Sequence, residues 1–172
     1  YASAIVVVSK KETDPRLKSQ ALRLCIDYRR LNKDTTKDAY PLPRIDDIKT
    51  QLRGARYFAS LDLLSGYYQI PVEEKDRNKT AFITSKGLYQ FKRMPFGLCN
   101  APATFQRLMD NLFGTKIGKI LLVYLDDLLI FAKTREKLLE RLEIVLKTLI
   151  AAGLKCKPRK CFLLKQIGRA HV

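Results

Sequence analysis

Two adjacent carboxylates, Asp126 and Asp127, stand inside an apolar stretch that runs I-L-L-V-Y-L-D-D-L-L-I-F-A over residues 120–132. An ionised Asp is seldom buried without a partner, because removing it from water costs several kcal/mol. The flanks predict two buried strands, Ile120–Leu125 and Leu128–Ala132, with both carboxylates at the turn between them. Such a tip can bind hard cations such as Mg²⁺, although Asp is also an ordinary turn residue and Y-x-D-D alone is a weak motif.

A third carboxylate, Asp62, ends another apolar strand, predicted over Tyr57–Asp62, just before a glycine turn. If that strand lies beside the hairpin, Asp62, Asp126 and Asp127 converge, and their repulsion raises their pKa values unless cations neutralise them. Two Mg²⁺ ions about 4 Å apart would do so, and such a pair suits in-line phosphoryl transfer. These three carboxylates are therefore the candidate catalytic residues.

The charge of the chain indicates the kind of partner. Its 172 residues include 33 Lys and Arg against 17 Asp and Glu, a formal net charge of +16. Such an excess predicts a polyanionic partner, either nucleic acid or an anionic membrane. The sequence has no long apolar segment, signal peptide or basic amphipathic helix, which favours nucleic acid and no membrane. A single histidine leaves little room for histidine-based catalysis.

Strands alternate with helices along the chain, which predicts an α+β sheet backed by helices on one face. The first helix after the initial strands follows a Tyr-Pro-Leu-Pro stretch. A second helix is predicted to begin with Asn100 as its cap, and its apolar stripe includes Phe105 and Met109. A third helix is predicted to be capped by Thr134 and to end at Gly153. The remaining predicted strands are Ala4–Val8, Leu22–Asp27, Thr80–Thr84, Leu88–Phe91, Leu154–Lys157 and Cys161–Leu164.

The cysteines and the last residues carry two further expectations. Cys156 and Cys161 are close enough for a metal knuckle but lack a second ligand pair, so all four cysteines are expected to be small buried apolar residues in a reduced, intracellular protein. Residues 167–172, I-G-R-A-H-V, match one reading frame of a common sequencing adapter. We expect them to be a library scar that follows a domain of residues 1–166.

Six blocks of the sequence resemble the reverse transcriptases of gypsy-like LTR retrotransposons, in the order of that family and from Ala4 to about Gln166. The matching blocks are L-C-I-D-Y-R-R-L-N-K (24–33), Y-P-L-P-R-I-D-D (40–47), F-A-S-L-D-L-L-S-G-Y-Y-Q-I (58–70), K-T-A-F-I-T (79–84), R-M-P-F-G-L-C-N-A-P-A-T-F-Q-R-L-M (93–109) and V-Y-L-D-D-L-L-I (123–130).

The resemblance implies the right-hand polymerase fold, with the fingers and palm subdomains only and truncation before the thumb. The fingers would comprise residues 1–54 and 72–95, and the palm residues 55–71 and 96–166. A piece without a thumb is expected to be inactive by itself, because nothing fixes the primer 3′-hydroxyl for attack.

The resemblance also implies roles for individual residues. Asp62 and Asp126 would bind two Mg²⁺ ions, with Mn²⁺ as a substitute, and the Leu63 backbone carbonyl would complete a metal shell. Asp127 would be a supporting carboxylate. The residues implied in template and primer binding are Asp27, Arg29, Asn32 and Tyr124.

The implied nucleotide pocket combines basic and aromatic residues. Arg23, with either Lys10 or Lys11, would clamp the triphosphate, and the longer loop in this chain leaves the choice of lysine open. Tyr67 would occupy the space that a ribose 2′-hydroxyl needs, and Phe96 and Gly97 would line the pocket. Phe96 replaces the Gln of retroviral relatives, and both aromatic residues could instead be core residues.

The function implied is RNA-directed DNA polymerase, which copies element RNA into DNA from deoxynucleoside triphosphates on an RNA or DNA template–primer duplex. The family context is a polyprotein with protease, RNase H and integrase, in a cytoplasmic virus-like particle with entry to the nucleus. Two alternatives stay open: a non-catalytic nucleic-acid-binding remnant of a decayed element, and the polymerase domain of a plant pararetrovirus.

Overall fold

The computed structural model describes residues 2–9, 22–41, 43, 45–124 and 127–166. The chain divides into two compact units, each built from two segments. The first unit comprises Tyr1–Asp38 and Ile70–Ala101, and the second comprises Ala39–Gln69 and Pro102–Val172. Residues 39–54, which we assigned to the fingers, belong to the second unit, and the fingers and palm bounds stay a prediction. Residues 167–172, the predicted scar, lie outside the described part.

The regular elements of both units follow in chain order. The strands are β1 Ile5–Ser9, β2 Leu22–Ile26, β3 Tyr57–Asp62, β4 Phe82–Thr84, β5 Gly87–Tyr89, β6 Leu121–Tyr124, β7 Asp127–Ala132 and β8 Phe162–Gln166. The α-helices are α1 Arg29–Asp34, α2 Ile45–Gln51, α3 Ala101–Phe113 and α4 Arg135–Ala151. Short 3₁₀ helices are Gly66–Gln69, Glu74–Thr80, Gly114–Lys116 and Pro158–Lys160.

The first unit contains two antiparallel strand pairs. In the pair β1–β2, Val8 lies opposite Arg23, and β4 and β5 form a tight hairpin. Tyr28 is 2% exposed, and its hydroxyl donates a hydrogen bond of 2.9 Å to the Thr80 carbonyl. Burial of this large ring with its hydroxyl satisfied fixes the start of α1 against the Glu74–Thr80 helix.

The second unit is built on a four-stranded antiparallel sheet in the order β6-β7-β3-β8. Its central strands are rich in apolar residues that pack on both neighbours, and Leu61, Leu128 and Ile130 are at most 1% exposed. Helix α4 packs against β7 and β3. The Thr134 hydroxyl accepts from Lys137 N and caps α4, as predicted.

Both long helices bury the apolar stripes predicted for them. In α3, Phe105, Met109 and Phe113 are at most 2% exposed, and the buried residues of α4 are Leu138, Leu142, Val145 and Leu149. The α+β class is therefore confirmed. Within the described ranges, no helix is both long and apolar enough to cross a membrane.

Three local expectations were wrong. Asp127 is the first residue of β7, not part of the turn, because it pairs with Tyr124 in β6 and with Asp62 in β3. Residues 154–157 form a single bridge between Leu63 and Cys156 instead of a strand, since the next residue, Pro158, cannot donate to a ladder. The third concerns Asn100, which does not cap α3, because its side-chain oxygen instead accepts from the backbone N–H of Asp38.

Candidate active site

The predicted site begins with a row of side chains across one end of the sheet. Tyr124, Asp127 and Asp62 are successive Cα partners on β6, β7 and β3. Directly opposed residues of antiparallel strands point to the same face and bring their Cβ atoms to about 4.5–5.5 Å. The register therefore places two of the three predicted carboxylates side by side. The third, Asp126, lies outside the described residues.

Asp62 is already held by a cation from the chain itself. The Lys160 ammonium lies 3.1 Å from Asp62 Oδ2, and the side chains are 60% and 22% exposed, respectively. The backbone of Asp62 is also fixed, because its carbonyl accepts from Lys157 N at 2.8 Å. Lys157 thus fixes the main chain of Asp62, and Lys160 fixes its side chain.

Cys156 lies beside the same carboxylate. Burial raises the pKa of the Cys156 thiol, and the neighbouring Cys161 and Asp62 raise it further. A thiol with a raised pKa is protonated at neutral pH and is a poor nucleophile and metal ligand. All four cysteines are free, so Cys156 and Cys161 form no disulfide.

The turn after Asp62 is fixed by a single amide side chain. Gln69 donates from Nε2 to the carbonyls of Leu64 and Lys155, both at 2.9 Å, and accepts from Lys155 N at 2.7 Å. The bridge between Leu63 and Cys156 uses hydrogen bonds from Leu64 N and Lys157 N, so it leaves the Leu63 carbonyl oxygen unused. The predicted backbone ligand is therefore not consumed by this bridge.

Tyr67 stands in the short 3₁₀ helix that Gln69 ends. Its ring meets the Phe105 ring edge to face, with centroids 5.7 Å apart and planes at 69°. Phe105 is fully buried, whereas Tyr67 is only partly buried. Tyr67 is thus anchored on one side by a core aromatic residue and reaches the surface on the other.

The donor set agrees with a hard divalent cation. Carboxylate and backbone carbonyl oxygens are the ligands that Mg²⁺ prefers, and Asp62, Asp127 and Leu63 offer only such atoms. No cluster of three or more His, Cys, Asp or Glu side chains able to hold a metal occurs among the described residues. The third predicted carboxylate, Asp126, is not among these residues.

In the first unit, the loop around Gly97 is fixed by Asn32. The Asn32 amide donates to the Gly97 carbonyl at 2.7 Å, and its oxygen accepts from Cys99 N at 2.8 Å. Gly97 has a φ of +93°, and a Cβ there would lie 3.5 Å from the Tyr28 ring. Phe96, one of the predicted pocket residues, is 44% exposed.

Asp27 and Arg29, both predicted near the template, form a two-point ion pair. Arg29 Nε and Nη2 lie 2.9 and 2.6 Å from the two Asp27 carboxylate oxygens. The hydrogen bonds from Arg29 lower the pKa of Asp27 to about 2. Asp27 therefore sets the direction of the Arg29 side chain, which is 90% exposed.

The predicted triphosphate clamp is described only in part. The backbone of Arg23 lies in β2, while its side chain, Lys10 and Lys11 lie outside the described residues. The open choice between the two lysines stays open.

Sequence reasoning missed three residues that hold the site: Lys160, Gln69 and Phe105. Gln69 and Phe105 stand inside matched blocks, but no local pattern shows that an amide or a core ring contacts the turn. Lys160 is separated from Asp62 by 98 positions, so its contact exists only in the folded chain.

Comparisons with known proteins identify the family of the chain. A family model described as reverse transcriptase (RNA-dependent DNA polymerase) matches residues 8–168. The chain is 45% identical over 166 residues to the retrovirus-related Pol polyprotein from transposon 297 of Drosophila melanogaster, and 43% identical to that from transposon gypsy of the same species. Each match covers 96% of this chain and 16% of the relative.

A plant virus and a solved structure extend the comparison. Polyprotein P3 of Commelina yellow mottle virus is 39% identical over 163 residues, which cover 92% of this chain and 8% of the viral protein. The structure of a foamy viral protease-reverse transcriptase in complex with an RNA/DNA hybrid is similar with a TM-score of 0.79 at 27% identity, over 93% of this chain and 20% of that one. The match with the family model, the relatives and the fold agree, and the chain belongs to the reverse transcriptase family.

Proposed function

We propose that this chain is the catalytic part of an RNA-directed DNA polymerase of an LTR retrotransposon, which extends a primer on RNA and DNA templates. The observation that carries the proposal is the register of β3 and β7, which sets Asp62 opposite Asp127 at the end of the sheet. The family implies a divalent cation in general, and we assign it here to two Mg²⁺ ions, or Mn²⁺, held by Asp62, Asp126 and the Leu63 carbonyl. Bound there, the cations would activate the attacking hydroxyl and neutralise phosphate charge.

The residues around the carboxylates position the substrates. Tyr67, anchored on Phe105, blocks the space of a ribose 2′-hydroxyl, so the substrates are deoxynucleoside triphosphates. Arg23, with Lys10 or Lys11, neutralises the triphosphate. Phe96 and Gly97 line the nucleotide pocket.

The template is held by residues of the first unit and by Tyr124. Arg29 presents its guanidinium to the template backbone in a direction set by Asp27. Asn32 acts through the Gly97 loop, because both polar atoms of its amide are engaged there. The template–primer partner is supported by the foamy viral relative, whose structure contains an RNA/DNA hybrid.

The test is primer extension on an RNA template by a longer polypeptide that contains this chain within its natural flanking sequence. Asp62→Asn or Asp126→Asn should lower nucleotide incorporation at least about a thousandfold, because each removes a cation ligand. Asp46→Asn, an exposed carboxylate of α2, is the matched control and should retain activity. Primer–template binding should change by no more than a few fold in all three variants.

Wild-type extension by the Asp62→Asn and Asp126→Asn variants would refute the two-cation assignment. An inactive wild-type protein that still binds template–primer would favour the alternative of a non-catalytic remnant. The plant pararetrovirus alternative is supported by the similarity to Polyprotein P3 and involves the same chemistry. Genomic sequence beside the coding region separates the two elements, since an integrase downstream indicates a retrotransposon. The polyprotein partners and the virus-like particle location are part of the same proposal.

A further inference from the structure

A basic cavity of about 410 Å³ lies in the second unit, away from the carboxylates. It is formed where α2 ends, where the turn before β6 lies and where β7 passes into α4. We call it the basic cavity, and its charged lining residues are Arg53, Lys119, Lys133, Lys137 and Arg141. No Asp or Glu lines it among the described residues.

Backbone contacts fix the walls of the basic cavity. Arg56 N donates to the Ala132 carbonyl at 2.9 Å, which joins the first wall to the end of β7. Gly54 has a φ of +81°, and a Cβ there would lie 3.8 Å from Lys133 Cε. Gly118, with a φ of +80°, lies against the Gln51 side chain in the same way. The cations thus stand on three separate segments of the chain, and two of them, Lys137 and Arg141, lie in α4.

Most of these cations have no counter-charge. The side chains of Arg53, Lys119 and Lys133 have no hydrogen-bond or ion-pair partner in the described ranges, whereas Lys137 pairs with Glu140 at 2.7 Å. Arg141 donates from Nη1 to the Phe131 carbonyl, and its Nε is buried without an acceptor among the same residues. Like charges around one concave space repel, and a buried guanidinium N–H without an acceptor is unfavourable.

The N-terminus of α4 does not supply the site. Thr134 caps the helix, and Glu136 accepts hydrogen bonds from its own backbone N–H and from the Thr134 hydroxyl. The attraction for an anion therefore comes from the side-chain cations, chiefly from Arg53, Lys119 and Lys133.

We propose that the basic cavity binds phosphate groups, as a site separate from the polymerase centre. Asp127 begins β7, and the last residue of this strand, Ala132, lines the cavity, so the two sites are roughly 16 Å apart along that strand. The cavity volume lies within the range of small-molecule sites and is larger than the volume that one phosphate fills. The ligand thus carries two or more neighbouring phosphates, either in a nucleic-acid strand or in a free polyphosphate.

The test measures binding to the whole 172-residue chain at constant ionic strength, with inorganic tripolyphosphate and with a short fluorescein-labelled oligothymidylate as probes. The cavity variant is Arg53→Gln/Lys119→Gln/Lys133→Gln. The control, Lys49→Gln/Lys147→Gln/Lys165→Gln, removes the same charge from residues of the second unit outside the cavity. Affinity for at least one probe should fall about tenfold or more in the cavity variant only, because charge-assisted contacts to phosphate are strong.

Each outcome has one meaning. Loss of tripolyphosphate binding alone assigns the cavity to free polyphosphates, and loss of oligothymidylate binding, alone or with it, assigns the cavity to a strand. An equal loss in the cavity variant and the control, or no loss, overturns the proposal, as does equal competition by a polyglutamate peptide. Circular dichroism should show that the cavity variant unfolds at or above the temperature of the wild type, since the variant removes repulsion between the cations. The single substitution Lys133→Gln gives a second test with a smaller change of charge. These measurements do not require polymerase activity.

Discussion

The ammonium of Lys160 lies 3.1 Å from Asp62 Oδ2, one of the oxygens that we propose as ligands for a divalent cation. An exposed ion pair of this kind contributes at most about 1 kcal/mol. The ion pair therefore keeps the Asp62 side chain in place, yet it is weak enough for a divalent cation to displace the Lys160 ammonium. Divalent ions outcompete an ammonium where several oxygens converge.

Lys160→Met should tighten Mn²⁺ binding about two- to fivefold, because it removes the competing charge and keeps the apolar stem. Titration of free Mn²⁺ by electron paramagnetic resonance measures this without substrate. Lys157→Met, three positions earlier, is the control and should leave the affinity unchanged. Unchanged or weaker binding by Lys160→Met would contradict a competing role for Lys160.

Asp27 gives a pH dependence whose sign follows from its lowered pKa. Hydrogen bonds from Arg29 lower the pKa of Asp27 from its ordinary value of 3.8 to about 2. The pair thus adds stability that is fully present above pH 3.8 and is lost as pH falls through about 2. Carboxyl-carbon NMR should show Asp27 titrating near 2 in the wild type and close to 3.8 in Arg29→Gln. A wild-type midpoint near 3.8 would show that the ion pair does not persist in solution.

At the scale of elements, two helices determine the position of Tyr67, the residue predicted to exclude a ribose 2′-hydroxyl. The Gly66–Gln69 helix carries Tyr67 and is held at its end by Gln69, while α3 supplies the Phe105 ring. An edge-to-face pair adds about 0.5–1.5 kcal/mol beyond burial, which favours the position of the Tyr67 ring against Phe105.

Tyr67→Ala should admit ribonucleotides, and Phe105→Leu should do so more weakly, because it frees the Tyr67 ring without emptying its place. The measurement is the ratio of deoxynucleotide to ribonucleotide incorporation by the longer polypeptide. Phe113→Leu, also buried in α3, controls for loss of core stability and should keep the wild-type ratio. If folded Tyr67→Ala kept that ratio as well, a residue other than Tyr67 would exclude the ribose 2′-hydroxyl.

At the scale of the whole molecule, we expect the net charge of +16 to dominate the proposed interaction with nucleic acid. Binding to template–primer duplex should weaken log-linearly with salt, with a slope of about −0.9 for each phosphate contact, because counterions are released. Affinity should differ little between duplexes of different sequence, since a polymerase accepts every template. A flat salt titration, or strong preference for one sequence, would indicate a different role.

The sequence by itself predicted the strand that ends at Asp62, the hairpin of β6 and β7 and the apolar stripes of α3 and α4. These predictions depend on the spacing of apolar residues, which can be recognised in the sequence wherever one face of an element is buried. The order of the six blocks sufficed to indicate the family, because each block retains residue types at fixed spacing. The cap of α4 at Thr134 was also legible, since capping depends on neighbouring residues alone.

Only the tertiary structure decided which residues serve the carboxylates. Asp127 entered a strand instead of a turn because the β3–β7 ladder continues through it, and this depends on register between distant strands. Lys160 reaches Asp62, and Gln69 reaches Lys155, across 98 and 86 positions. The basic cavity likewise joins three segments whose lysines and arginines look like ordinary surface residues in the sequence. Contacts between remote segments leave no periodic trace, so folding alone brings them together.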